Sequence, residues 1–174
     1  MVLLSGDRMP VVDRVADALG IAERIAGASP EDKARHVEAM AAGGAVVAMI
    51  GDGINDAPVL ARAQVSIALA SGAALAQSQA DFVVDQLYSD SPLAGFAAEA
   101  SAFGKAAIVG GYGWKLFPAF LRPEELPPTA TCHPDELEGC IRSLALDPAR
   151  REEIGARSRV FLQTELVLGL WDCF

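Results

Sequence analysis

Six consecutive residues, Gly51-Asp52-Gly53-Ile54-Asn55-Asp56, hold the densest chemical functionality in the sequence. Gly51 and Gly53 permit tight backbone turns. Asp52 and Asp56 can then converge as hard oxygen ligands for Mg2+, with a substrate phosphate completing the shell. Asn55 adds an amide that can orient one of them. The plainer alternative is a polar turn closed by side-chain hydrogen bonds. Two further groups fit the same chemistry. Ser5-Gly6-Asp7 offers a hydroxyl and backbone amides, and Lys33 offers a cation within Pro30-Glu31-Asp32-Lys33. Phosphoryl transfer needs donors for the oxygens and a metal to neutralise charge. The alternatives are a helix cap for Ser5 and a solvated surface charge for Lys33.

These residues work together only if the elements before them end on one side of the molecule. Val2-Leu3-Leu4 reads as a strand leading into Ser5. Ala45-Val46-Val47-Ala48-Met49-Ile50 reads as a strand leading into Gly51, apolar enough to be buried on both faces of a parallel sheet. Parallel strands deliver their exit loops to a common ligand-binding edge. The spacing predicts a helix from Pro10 to Gly20 and a weak strand at residues 24–27. A helix from Pro30 to the Gly43-Gly44 break follows, with Ser29 as its cap. A helix over residues 55–63, a strand over 65–69 and a short helix over 73–79 come next. Strands over 82–84 and 106–109 flank a helix over 92–103. Residues 118–128 are proline-rich and irregular, and helices over 134–146 and 148–163 close the chain. The alternation specifies an α/β fold: a Rossmann-like three-layer sandwich with a mainly parallel sheet.

Composition narrows the function. The chain has 174 residues, 52% hydrophobic and 21% charged, which excludes a disordered polypeptide. No apolar run reaches the ~18 residues a membrane-spanning helix needs. The net charge of -9 argues against nucleic acid as a partner. Three scattered cysteines and no Cys-x-x-Cys spacing fit a reducing compartment, without a disulfide framework or a zinc site. Every Phe, Trp, Tyr and Cys lies at or after Phe82, as do seven of the ten prolines. That discontinuity marks a candidate boundary between segments 1–80 and 81–174. No Gly/Ser/Pro-rich linker separates them, so a single sheet with a seam at Phe82-Val83-Val84 is expected.

At the quoted motifs, residues 2 to about 85 resemble the C-terminal part of the phosphorylation domain of heavy-metal (copper-type) P-type ATPases, within the haloacid-dehalogenase-like superfamily. Ser5-Gly6-Asp7 is similar to that family's Thr-Gly-Asp motif, with Ser for Thr. Pro30-Glu31-Asp32-Lys33 is similar to its lysine motif, and Gly51-Asp52-Gly53-Ile54-Asn55-Asp56 to its hinge motif. The resemblance implies that Ser5 and Lys33 hold phosphoryl oxygens, that Asp52 and Asp56 hold Mg2+, and that Gly6, Asp7, Gly51, Gly53 and Asn55 shape the phosphate and hinge loops. The family's aspartyl nucleophile lies in an Asp-Lys-Thr-Gly-Thr motif, which is not among these residues. The expectation is a fragment inactive alone, completed by a missing half-domain or another chain, with a phosphate or nucleotide ligand. The cytoplasm, beside a membrane-embedded parent, is the expected location.

From Asp81 on, the sequence resembles the C-terminal nucleotide-binding domain of GT-B glycosyltransferases. Glu99-Ala100-Ser101-Ala102-Phe103-Gly104-Lys105 matches its Glu-Ala-x-Ala-x-Gly-Lys helix. The resemblance implies that Glu99 binds ribose hydroxyls of a sugar donor. The first acidic position of that family's pair is Ser91 here, with Asp90 adjacent. The alternative for Glu99 is a carboxylate that favours the helix dipole. The alternatives to the ATPase fragment are therefore a glycosyltransferase donor-binding fragment and a chimera, natural or designed, without function.

Overall fold

Short apolar runs become strands, and the amphipathic stretches between them become helices. The structure is a computed structural model that describes residues 1–51, 56–69, 78–90, 93 and 95–168. In chain order the elements are β1 (Val2–Leu4), α1 (Met9–Ala18), β2 (Glu23–Ile25), α2 (Pro30–Ala42), β3 (Ala48–Gly51), α3 (Ala57–Leu60) and β4 (Val65–Leu69). Then come β5 (Phe82–Asp85), α4 (Gly95–Ala102), β6 (Ala106–Gly110), β7 (Ala130–Cys132), α5 (Leu137–Leu146) and α6 (Pro148–Leu168). Short 3-10 helices fill Trp114–Ala119, Pro123–Glu125 and Pro134–Glu136. The expected helix over 73–79 lies mostly outside the described residues.

Every strand pair described is parallel, and the fold is a Rossmann-like α/β sandwich. Five strands form one sheet in the order β3-β4-β5-β6-β7. The composition break near residue 80 does not interrupt it. β4 and β5 pair directly across that point, with Ile67 opposite Phe82, Ala68 opposite Val83 and Leu69 opposite Val84. β1 and β2 depart from the expected single sheet: they form a separate parallel pair. Helix α2, rather than a strand ladder, ties this unit to β3. Its Ala34 and Val37 pack on Val47 and Val59.

Layers on both faces bury the larger sheet. Phe82, Val84, Ala106 and Ile108 point toward α5 and α6, where Leu144, Ile141 and Ile154 meet them. Val83, Ala107 and Val109 point the other way, onto Ala97 and Ala100 of α4. The alternation is the two-residue period of a strand covered on both sides.

β3 does not follow the expectation of two buried faces. Its strand begins at Ala48 rather than Ala45, and Ile50 is 52% exposed. The loop before it accounts for the late start: the Val47 carbonyl accepts from the Gln64 and Val65 N–H groups, and the Val47 N–H donates to Gln64 Oε1. The open face has a second cause. β3 is an edge strand, and the α5–α6 layer stops over β4. Helix α3 is likewise a single turn, shorter than the expected 55–63. β7 was not anticipated; it hides inside a proline-rich stretch.

Candidate functional site

The exit of β1 is tied to the entry of α2. Ser5 N–H donates to the Ile25 carbonyl at 2.9 Å, Ala28 N–H donates to the Ser5 carbonyl at 2.9 Å, and Gly27 N–H donates to the Asp7 carbonyl at 2.8 Å. Gly27 reaches that position with φ of +65°, a region glycine enters freely. Ser5 does not cap a helix. Its hydroxyl donates to Asp7 Oδ2 and accepts from the Asp7 N–H, both at 3.1 Å, in a small exposed turn beside Gly6. Residue Arg8 precedes α1 with no side-chain cap at all.

Helix α2 starts on a complete capping box. Ser29 Oγ accepts from the Asp32 N–H at 3.1 Å, and Asp32 Oδ2 accepts from the Ser29 N–H at 3.0 Å. Donation from the Ser29 hydroxyl and N–H holds the Asp32 carboxyl below its ordinary range, and exposed Arg35 adds to this. Lys33 lies one turn in from Ser29. It is not a solvated charge: Nζ sits 2.8 Å from Asp56 Oδ1, with the two side chains 15% and 11% exposed. Asp56 stands directly before α3 yet makes no cap bond. A Cβ added at Gly51 would lie 2.7 Å from the Asp56 Cβ, so the end of β3 needs glycine there.

The structure thus brings together three sequence-predicted residues: Lys33, Gly51 and Asp56. Ser5, Gly6 and Asp7 join the loop leading into the same helix start. Asp52, Gly53 and Asn55 lie outside the described residues. Among the described residues, no group of three or more His, Cys, Asp or Glu side chains converges on a metal position.

A second cluster lies at the exits of β5 and β6, on the same edge of the sheet as Gly51. Glu99 is exposed on α4, one turn from Gly95. The residue that sequence reasoning passed over is Asp85, the last of β5. It is buried, its Oδ2 accepts the Ala97 N–H at 2.8 Å, and its Oδ1 has no hydrogen-bond partner among the described residues. Burial pushes its carboxyl above the ordinary value; the Ala97 and Gln86 N–H groups oppose that, and the Glu99 charge adds to it. An acidic residue closing the apolar run Phe82-Val83-Val84 was the available signal. Asp90 is structural: Oδ1 accepts the Gly113 N–H at 2.7 Å. Gly110 and Gly111 admit Leu87 and Asp90 where a Cβ would collide with them, so the β5 loop rests on the β6 loop. Tyr112 meets His133 edge-on at 5.1 Å rather than lining a pocket. Burial pushes the Cys140 thiol up to about 12, which removes it as a nucleophile.

Comparison with known proteins places the N-terminal half. The family model of haloacid dehalogenase-like hydrolases matches residues 1–64. A copper-exporting P-type ATPase of Vibrio cholerae is 46% identical over 83 residues, 48% of this chain and 9% of that protein. The probable copper-transporting ATPase SynA of Synechococcus is 40% identical over 116 residues, 66% of this chain and 14% of its own length. The catalytic domain of the CPx-ATPase CopB-B is 41% identical over 47% of this chain and 32% of that one, with a TM-score of 0.46. The chain spans about a tenth of the length of the curated relatives. Its N-terminal half is thus similar in sequence to part of the heavy-metal P-type ATPases, as the Ser5, Lys33 and Gly51–Asp56 motifs imply. No helix among the described residues is long and apolar enough to cross a membrane.

Proposed function

We propose that this chain supplies the phosphate- and Mg2+-holding part of a P-type ATPase phosphorylation site, and that a polypeptide segment outside these 174 residues supplies the aspartyl nucleophile. Such a domain would work at the cytoplasmic side of a heavy-metal pump. The observation that carries the reading is the Lys33–Asp56 pair, 2.8 Å apart and largely shielded from solvent at the exit of β3. Lys33 is held at a helix start, from which an ammonium group can reach a phosphoryl oxygen; Ser5 offers its exposed hydroxyl and Gly6 its backbone. Asp56 has one oxygen engaged by Lys33 and a second beside Gly51. Position 52 follows Gly51 directly in the chain. One or two carboxylates with phosphate oxygens are what Mg2+ takes in such sites, so the donor set fits the ion. When bound, the ion neutralises phosphoryl charge. Gly51, Gly53, Asn55 and Asp7 would shape the surrounding loops.

The nucleotide-sugar reading of Glu99 has less support, because Leu87 and Asp90 occupy the space over Gly110 and Gly111. The phosphoryl reading is tested by amide chemical shifts. Millimolar MgCl2 should move the Gly51 and Asp56 resonances of the wild-type chain, and Asp56→Asn should abolish the movement. Unmoved wild-type spectra would mean that the site is not assembled.

A further inference from the structure

We propose that Cys132 and Cys140 form a reversible dithiol–disulfide pair, a modification site that a hydroperoxide closes and a small thiol reopens. Both are free cysteines, and the strand and helix periods bring them together. Cys132 ends β7 and shares its buried face with Ala130, while Thr131 between them is half-buried. Cys140 lies one turn into α5, on the face that carries Leu137, Ile141 and Leu144 at helical spacing. That face packs on the same apolar cluster as Cys132. The two thiols are hydrogen-bonded to each other. Cys132 is buried, whereas Cys140 is only partly covered, which leaves a small oxidant a path from solvent.

The two sulfurs take different parts. Burial raises the Cys132 thiol and the Glu136 charge adds to it, while the hydrogen bond from Cys140 works the other way. Burial and the neighbouring Cys132 push Cys140 up to about 12, with Glu136 adding to this and Arg150 opposing it. Cys140 is therefore the proton donor, and Cys132 is the sulfur that ionises first. Cys132 attacks the hydroperoxide: an S–O bond forms, the O–O bond breaks, and the departing oxygen takes up a proton. The peroxide gains two electrons and Cys132 becomes a sulfenic acid. This step removes the Cys132 charge that held the proton on Cys140. The Cys140 sulfur then attacks Cys132: the S–S bond forms, the S–O bond breaks, and the hydroxyl leaves as water with the Cys140 proton. Two thiols and one hydroperoxide thus give one disulfide, one alcohol (water, for hydrogen peroxide) and one water. Thiol–disulfide exchange with two equivalents of a small thiol reverses the change. In a reducing compartment such a bond is transient. While it lasts, it ties the end of β7 to α5 and closes residues 133–139 into a short loop, which limits the unfolded chain.

The inference does not rest on the phosphoryl reading and is tested separately. The full chain carrying Cys173→Ser isolates the pair, because Cys173 lies outside the described residues. Hydrogen peroxide should remove both free thiols, counted in denaturant, and lower the mass by two hydrogens. A glutamate-specific protease cuts between the cysteines at Glu136, and the two peptides should stay joined until dithiothreitol separates them. The urea midpoint should rise on oxidation and return on reduction. Adding Cys140→Ser keeps a hydroxyl that can donate to Cys132 but removes the second sulfur. It should abolish the cross-link and let a dimedone adduct of the sulfenic acid accumulate on Cys132. Far-UV circular dichroism checks that the variants fold. Thiols left intact by peroxide, oxygen added without the cross-link, or a cross-link between two chains instead of within one would each overturn the proposal.

Discussion

β3 and β5 run parallel two strands apart and end at the same edge of the sheet, yet they are built on opposite terms. All four residues of β5 are buried. In β3 only Gly51 is, and Ile50 meets solvent. The acidic groups after them differ in the same sense. Asp56, following β3, faces Lys33 at 2.8 Å; Asp85, closing β5, has one oxygen with no partner among the described residues. The well-packed strand holds an unsatisfied carboxyl, and the loosely packed one holds a satisfied pair. Packing and charge are thus arranged differently along one edge: the β5–β6 region is buried throughout, and the shielded Lys33–Asp56 pair sits beside a strand whose own side chains meet solvent.

The largest test of this contrast is truncation of the buried strand. Phe82 is fully buried between β4 and β6, where its ring fills the α5–α6 side of the core. Phe82→Ala should cost about 3–5 kcal/mol through lost transfer energy and the cavity left behind. Ile50→Ala in β3 should cost only about 1 kcal/mol, since half of that side chain never leaves water. Urea unfolding of both variants provides the comparison. Equal losses would mean that β3 is covered in solution and that the two strands are not different in kind.

That asymmetry was only partly legible in the sequence. The element order and the parallel pairing could be read from apolar runs bounded by glycine and acid, and the Phe82-Val83-Val84 strand pairs with β4 as expected. Lys33, Gly51 and Asp56 could be read from their positions at helix starts and strand ends. The exposure of β3 could not, because Ala45 to Ile50 looks identical whether a strand is central or at an edge. Burial of an apolar run depends on what lies on its far side, which no local pattern records. Asp85 escaped for a related reason: a strand-terminal aspartate reads as a loop residue until the helix that covers it is placed. β7 was hidden by the prolines around it, which mark a guarded edge rather than the absence of a strand.

Asp85 provides a test of intermediate size. Burial raises its folded pKa above the unfolded value, so the folded chain keeps this proton to higher pH than the unfolded chain does. The stability it contributes is full below the unfolded value and is lost as pH rises through the folded one. Asp85→Asn has no proton to lose and keeps an acceptor for the Ala97 N–H. It should therefore raise stability at pH 7 by about 1 kcal/mol and leave the acid side nearly unchanged. Thermal unfolding at pH 3.5 and pH 7 measures both. A variant less stable than wild type at pH 7 would reveal a partner for the ionised carboxylate and remove the contrast with Asp56.

The smallest test lies in the N-terminal half, where an acid behaves in the opposite way. Asp32 accepts from the Ser29 hydroxyl at 2.8 Å and from the Ser29 N–H at 3.0 Å, and its pKa is lowered in consequence. A lowered folded value means that the contribution is present above the unfolded pKa and lost as pH falls through the folded one. Ser29→Ala removes the hydroxyl, which both donates to the carboxylate and accepts the Asp32 N–H at the start of α2. At pH 7 the loss should be about 1 kcal/mol, the usual scale for an N-cap. It should shrink as pH falls toward 2, because protonation of Asp32 in wild type removes part of what the variant already lacks. Urea unfolding of wild type and Ser29→Ala at both pH values decides this, with carbon-13 carboxyl shifts following Asp32 directly. The gap between variant and wild type should narrow in acid here, whereas Asp85→Asn and wild type should draw apart as pH rises. A Ser29→Ala gap that stays constant with pH would assign the whole effect to the Asp32 N–H bond and none to the carboxylate, and the two halves would no longer oppose each other in their response to acid.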